Sequence, residues 1–336
     1  MTMTRRLLCS LTILVLVLLV AQGRPLMAQS TGGDGSTRDS RGPSQEWRRV
    51  LAPANSRVTS SQVSKSDQYP AVRGMVKIKG YEFSSIDYPG TYASQVYDSN
   101  GKTAVGCTVF GANVFTFQGS SYVPLNVPGA RQNCGLGINT SGEIVGWYED
   151  SSNDVHGFLY DGSRYTTIDY PGSGFTEAWD ISDAGLIVGY YADSSSFDHG
   201  FLYDNGTFTG INFPGADNTF AYAINSGGDI VGNYNLAGIQ HGFILSKGIY
   251  SAVDFPEAYG TYAFGINNAG SIAGYFVKLD SSGIVVPHGF TYSGGVLIQV
   301  DVPGAIETFI YRINNKDNVV GIIVDALGEY HGIIGK

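Results

Sequence analysis

The chain is 336 residues long, enough for one large or two medium domains. Its 46 glycines, 22 tyrosines and 17 phenylalanines against only 15% charged residues argue against a helical protein and for many short strands joined by tight turns. From residue 74 onward ten Lys and Arg face 25 Asp and Glu, an acidic body that excludes a phosphate backbone, and so nucleic acid, as a partner.

The N-terminus reads as a secretory signal peptide over residues 1–23: Arg5 and Arg6 precede an apolar run from Leu7 to Val20, and small residues follow at Gly23 and Ala28. The run is too short for a spanning helix, so no membrane span is expected after signal removal. Residues 24–73 are rich in Ser, Arg, Gly, Asp and Gln and hold few large apolar side chains, the composition of a flexible linker with a net charge of +4.

Residues 74–336 are repetitive. All five histidines, His156, His199, His241, His288 and His331, are followed by glycine and recur at spacings of 43, 42, 47 and 43 residues. A proline lies 15 residues after each of the first four, at Pro171, Pro214, Pro256 and Pro303, and the frame extends upstream to Pro128 and Pro89, with Asn113 and Gly74 in the histidine position. Within one unit, "HGFLYDGSRYTTIDYPG" and "TEAWDISDAGLIVGYY" each read as two short runs around a turn, so that a unit is two hairpins and four strands. The second turn recurs as "NTSG", "NSGG" and "NNAG", with Asn opening the bend and Gly supplying the left-handed residue.

Four-stranded repeats of this length predict a β-propeller. Cutting each blade as the "IN..G" hairpin followed by the "HGF" hairpin gives five continuous blades from about 91 to 304; a sixth takes three strands from 305–336 and its outermost strand from about 81–88, which closes the ring. "MVKIK" reads as a degenerate first strand. Six blades are expected, with seven as the alternative if part of the linker folds.

"HGFLYDNGTFTGINFPG" followed by "AYAINSGGDIVGNY" resembles the HAF-type extracellular repeat, a bacterial family named for His-Ala-Phe at its strand start. The resemblance covers residues 74–336 and implies secretion and a propeller, with no catalytic residue to carry over. The chain departs from the pattern in having Gly for Ala and in lacking His in its first two units.

On a propeller each histidine opens the third strand from the axis, a radius of ~12 Å or more, so the five cannot share a metal ion. They read as structural joints, each tying a strand start to a neighbouring loop. The aromatic residues before the prolines (Tyr88, Tyr170, Phe213, Phe255) and the set Trp179, Tyr222, Phe264 and Tyr311 read as packing between blades.

The loops between the two hairpins differ most between units, and loops on a rigid scaffold are where ligands bind. Their charged residues Glu149, Asp150, Asp193, Asp198, Lys278 and Asp280 are the candidate ligand-binding set. No cofactor is expected: these carboxylates suit Ca²⁺, but no D-x-[DN]-x-[DN]-G motif supports a metal. Nor is there a G-x-S-x-G, an H-E-x-x-H or a phosphate-binding Gly-rich loop with its Lys. Cys107 and Cys134 remain after signal removal and, in an exported protein, form either a disulfide or two buried thiols.

The expectation is a secreted, extracellular or periplasmic, monomeric six-bladed propeller that binds glycan or protein without catalysis. The alternative is an extracellular propeller glycoside hydrolase or polysaccharide lyase, since two acids on different loops leave no spacing signal.

Overall fold

The computed structural model describes residues 81–86, 94–108 and 114–336, together with the backbone of 77–78. The signal-peptide and linker readings, and Gly74, Tyr88, Pro89 and Asn113, lie outside the described residues.

Six sheets of antiparallel strands form a six-bladed propeller. From the axis outward, blade 1 is β3 (Ser94–Ser99), β4 (Ala104–Thr108), β5 (Val114–Gln118) and β6 (Ser121–Pro124). Blade 2 is β7 (Gln132–Ile138), β8 (Ile144–Glu149), β9 (Val155–Tyr160) and β10 (Tyr165–Ile168), and blade 3 is β11 (Thr176–Ile181), β12 (Ile187–Ala192), β13 (Asp198–Asp204) and β14 (Thr207–Ile211). Blade 4 is β15 (Asn218–Ile224), β16 (Ile230–Leu236), β17 (Ile239–Ser246) and β18 (Ile249–Val253); blade 5 is β19 (Gly260–Ile266), β20 (Ile272–Leu279), β21 (Val285–Ser293) and β22 (Val296–Val300).

Blade 6 closes the ring as the repeat frame predicts. Its β23 (Glu307–Ile313), β24 (Val319–Val324) and β25 (Tyr330–Gly335) are completed by β2 (Phe83–Ile86), which pairs antiparallel with β25 from Phe83↔Gly335 to Ile86↔Gly332. The seventh blade is excluded. "MVKIK" is not the first strand of a unit: its place beside β2 is taken by β25, and β1 (Lys77–Ile78) instead pairs parallel with β22 as a fifth strand on the edge of blade 5.

Burial follows position in the blade. Innermost strands such as β11 and β23 are buried along their whole length, because neighbouring blades cover both faces, whereas the outermost β14 alternates with solvent. The phenylalanine of each "HGF" (Phe158, Phe201, Phe243, Phe290) is 0–1% exposed, and each such burial contributes roughly 2–3 kcal/mol.

Every innermost strand carries a bulge at the same place, between Val96/Asp98, Gly135/Gly137, Ala178/Asp180, Ala221/Ala223, Ala263/Gly265 and Ile310/Arg312. The bulge presses a backbone carbonyl against the facing strand, where a Cβ on Gly189 would collide with Glu177 O and one on Gly232 with Phe220 O. That close approach is the physical reason for glycine in "IVG".

The extra residue in each bulge, Tyr97, Leu136, Trp179, Tyr222, Phe264 or Tyr311, packs at the axis. Ring centroids of Tyr222 and Phe264 are 4.4 Å apart, Trp179 and Tyr222 4.5 Å, Tyr97 and Tyr311 5.0 Å, and Trp179 and Phe264 5.8 Å. An aromatic plug therefore fills the centre of the propeller.

Candidate functional site

Antiparallel topology puts the turns between strands 1–2 and 3–4 of each blade on one face, the turn face. The loops between strands 2–3 and the Pro-Gly corners lie on the other, the loop face.

The histidines sit at the loop-face end of the third strands. Nδ1 of His156, His241 and His288 lies 2.9, 3.0 and 3.1 Å from the carboxylates of Asp169, Asp254 and Asp301 at the end of the fourth strand, and His199 Nδ1 lies 2.8 Å from Asn212 Oδ1. Nε2 of His156, His199 and His331 faces a loop carboxylate, Asp150, Asp193 or Asp325, at 3.6, 3.3 and 3.5 Å. The imidazoles also stack on the second strand, His241 on Tyr234 at 5.0 Å and His288 on Phe276 at 5.4 Å. The corner aromatic of the preceding blade covers the other side of that ring: Tyr170 on Tyr191, Phe213 on Tyr234 and Phe255 on Phe276, with centroids 3.4–3.6 Å apart. The corners are thus packed between blades.

The six charged candidates do not converge. Glu149 and Asp150 belong to blade 2, Asp193 and Asp198 to blade 3, Lys278 and Asp280 to blade 5. Glu149 is 2% exposed and accepts a hydrogen bond from Arg131 at 2.9 Å; Asp198 is buried and its N–H donates to Asn218 Oδ1 at 2.8 Å. Lys278 Nζ lies over the rings of Phe255 and Phe276, 5.3 and 5.6 Å from their centroids.

Asp150, Asp193, Asp280 and Asp325 make the same turn four times, each Oδ1 accepting N–H bonds from the residues two and four positions on. The Phe197 N–H, against a smaller desolvation penalty, and then His199 hold the Asp193 carboxyl below the ordinary carboxylate range. In blade 6, donor atoms of Asp325, Glu329 and His331 lie within 4.8 Å of one another, a closer grouping of possible metal ligands than the sequence suggested, on an exposed turn whose Asp325 Oδ1 is already taken by two N–H groups.

What does converge is the axis. On the turn-face side of the plug, Arg312 Nη2 donates to Trp179 O and Tyr222 O, both at 2.9 Å, and Nη1 donates to Phe264 O and Tyr311 O, so one guanidinium ties the inner strands of four blades. The carboxylates of Asp98 and Asp180 stand 3.9 Å from it. Asp98 also accepts the Ile138 N–H of blade 2, and Asp180 the Ile224 N–H of blade 4, each at 2.9 Å. Burial pushes the Asp180 carboxyl up to about 7, against the opposing pull of Arg312 and with the Asp98 charge adding to the rise. Glycines leave room for this assembly: a Cβ on Gly137 would lie 2.8 Å from Asp180 Cα, and one on Gly265 2.7 Å from Arg312 Cα. The repeat position two residues before the turn's Asn or Ser reads Asp98, Gly137, Asp180, Ala223, Gly265 and Arg312, and three charges among small residues are the signal the sequence carries.

On the loop-face side, Gln95, Glu177, Phe220, Tyr262 and Phe309 sit two residues before the plug. Tyr97 OH donates to Gln95 Oε1 at 2.7 Å and Trp179 Nε1 to Glu177 Oε2 at 2.8 Å. Phe220, Tyr262 and Tyr97 are half-buried. Beside them, Glu307 Oε2 and the hydroxyls of Tyr311 and Tyr330 are buried without a hydrogen-bond partner. Burial raises the Glu307 carboxyl to about 7, and Glu307 in turn raises the Tyr330 hydroxyl, whose own burial is the larger cause. Buried donors and acceptors left open in this way mark a place for water or for ligand hydroxyls. This axial mouth is the candidate site. Cys107 and Cys134 are joined by a disulfide that staples β4 of blade 1 to β7 of blade 2, with Cα atoms 5.1 Å apart.

A six-bladed β-propeller with an aromatic, partly charged axial mouth is the class that fold and site define. No family model matches the chain, and no curated protein does. Among solved structures, a catalytically inactive virginiamycin B lyase from Staphylococcus aureus is 8% identical over 76% of this chain and 99% of that one, with a TM-score of 0.46. A six-bladed fungal lectin from Aleuria aurantia is 14% identical over 73% and 95%, TM-score 0.45, and a mutant of AofleA from Arthrobotrys oligospora is 11% identical over 80% and 90%, TM-score 0.47. The likeness is one of architecture alone.

Proposed function

We propose that the protein is an exported, non-enzymatic binding module of the HAF-type repeat family that takes a glycan at the axial mouth. The observation that carries this reading is the group of open polar atoms, Glu307 Oε2 with the Tyr311 and Tyr330 hydroxyls, beside the half-buried rings of Tyr97, Phe220 and Tyr262. Aromatic rings offer stacking surface to a sugar face, and a carboxyl near its midpoint at neutral pH both donates to and accepts from hydroxyls. The loop carboxylates are poorer candidates, since their own turns and histidines already occupy them. Among the described residues no helix is long and apolar enough to cross a membrane.

A second reading, a glycoside hydrolase or polysaccharide lyase, is favoured by the same Glu307: a carboxyl titrating near 7 suits general acid–base chemistry. The test is to incubate the protein with a panel of insoluble polysaccharides and record depletion from solution together with newly released reducing or unsaturated ends. Depletion without release, weakened about tenfold or more by Tyr262→Ala, is the expected result. Release that Glu307→Gln abolishes would move the protein to the enzyme class, and neither signal would remove glycans in favour of a protein partner.

A further inference from the structure

On the turn face, neighbouring blades are laced together by their first turns. Asn100 Nδ2 donates to Asn139 O of the next blade at 3.0 Å, Asn139 Nδ2 to Ser182 O at 3.4 Å, Asn225 Nδ2 to Asn267 O at 3.2 Å, and Asn267 Nδ2 to Asn314 O at 3.1 Å. Among the described residues the link is missing at two seams: between blades 3 and 4, where Ser182 replaces the asparagine and its hydroxyl caps its own turn through the Leu186 N–H, and at the closing seam between blades 6 and 1. Asn314 Oδ1 caps its own turn through the N–H groups of Lys316 and Asn318, while its Nδ2 has no partner among the described residues. In place of the link is a cavity of about 220 Å³, lined among others by Ser99, Lys102, Arg312, Asn314, Asn318 and Lys336.

Its charge is the reverse of the surroundings. Three of the ten basic residues beyond residue 74 line it, in a region that carries 25 acidic ones. Neither the Lys102 nor the Lys336 ammonium has an ion-pair partner among the described residues. The Arg312 side chain is 7% exposed; its Nε lacks a hydrogen bond and lies 3.9 Å from Asp98, while Asp180 stands 3.9 Å from its Nη2. Two lysine ammoniums without ion pairs and the open Arg312 Nε line one cavity, an arrangement that draws an anion. Asn314 Nδ2 and the Ser99 hydroxyl add neutral donors. The volume is below the 300–1,000 Å³ usual for drug-sized ligands, which limits the occupant to about one sugar ring.

We infer that the seam cavity between blades 6 and 1 is an anion site, taking the oxyanion of a carboxylate- or phosphate-bearing ligand no larger than a monosaccharide. The site is independent of the axial mouth, on the opposite face. It is tested by calorimetric titration of the whole protein at low ionic strength with glucuronate, inorganic phosphate and glucose. Saturable binding of an oxyanion but not of glucose is expected, weakened about tenfold or more in Lys102→Gln/Lys336→Gln and unchanged in Glu307→Gln. Glucuronate alone would identify a sugar acid, whereas phosphate binding as well or better would identify a bare oxyanion. Because both lysines are exposed the double variant should fold; should it not, protection of Lys102 and Lys336 from acylation by the bound anion reads the same site in the unaltered protein. Absence of binding by either oxyanion, or equal binding by the double variant, overturns the inference, and neither result bears on glycan capture at the mouth.

Discussion

At the residue scale, the histidine is a joint whose parts lie on three strands. His199 reaches Asn212 on one side and Asp193 on the other while lying against Tyr191. Changing it to Ala removes two hydrogen bonds from a group that is 28% exposed, a cost of about 1 kcal/mol, so the melting temperature should drop by a few degrees with glycan capture by the folded fraction intact. Loss of capture at unchanged melting temperature would make the histidine part of a binding site. The recurrence of His-Gly every 42–47 residues was readable in the chain, but the partner was not, because Asp169, Asp254 and Asp301 lie 13 residues away across a hairpin and read as ordinary surface acids.

At the scale of the strand, "IVG" and the residue of the facing bulge form one device. The inner strand bulges, its carbonyl moves toward its neighbour, and only glycine leaves room. Gly232→Ala should therefore cost about 2–3 kcal/mol, although alanine is the smallest side chain that can be added. Chemical denaturation gives the number, and a loss below about 0.5 kcal/mol would mean the bulge relaxes at little cost. The inter-hairpin loops show the converse. They differ in sequence yet four of them close on an Asp that bonds forward two and four residues, because a five-residue turn needs that cap and tolerates almost anything between. Difference in sequence there marked tolerance rather than specificity.

At the scale of the whole molecule, four blades are hydrogen-bonded to Arg312 and blade 1 faces it through Asp98, and the two aspartates beside it leave one negative charge in excess if both ionise. A carboxyl whose folded value is raised contributes stability that is present below its unfolded value and lost as pH rises through the folded one. With Asp180 and Glu307 both raised to about 7, stability should fall as pH rises from about 4 to about 8, opposite to the trend that the paired surface acids impose below pH 4. Melting curves across that window should show the fall, and Asp180→Asn should flatten part of it. A melting temperature that rises or stays level would show that Arg312 and the backbone donors keep Asp180 ionised and that Glu307 is ionised as well.

The sequence by itself determined the number of blades, the strand order within each and the closure by residues near 83–86, because a four-stranded repeat with hydrophobic periodicity has few ways to bury its faces and a ring needs no caps. Only the tertiary structure decided what stands at the centre and at the seam. Tyr97, Trp179, Tyr222, Phe264 and Tyr311 become a plug, Asp98, Asp180 and Arg312 a charged knot, and Lys102 and Lys336 one cavity, through closure of the ring. Asp98 and Asp180 lie 214 and 132 positions from Arg312 and yet stand 3.9 Å from it, and no local pattern records which of six equivalent positions will face one another across an axis.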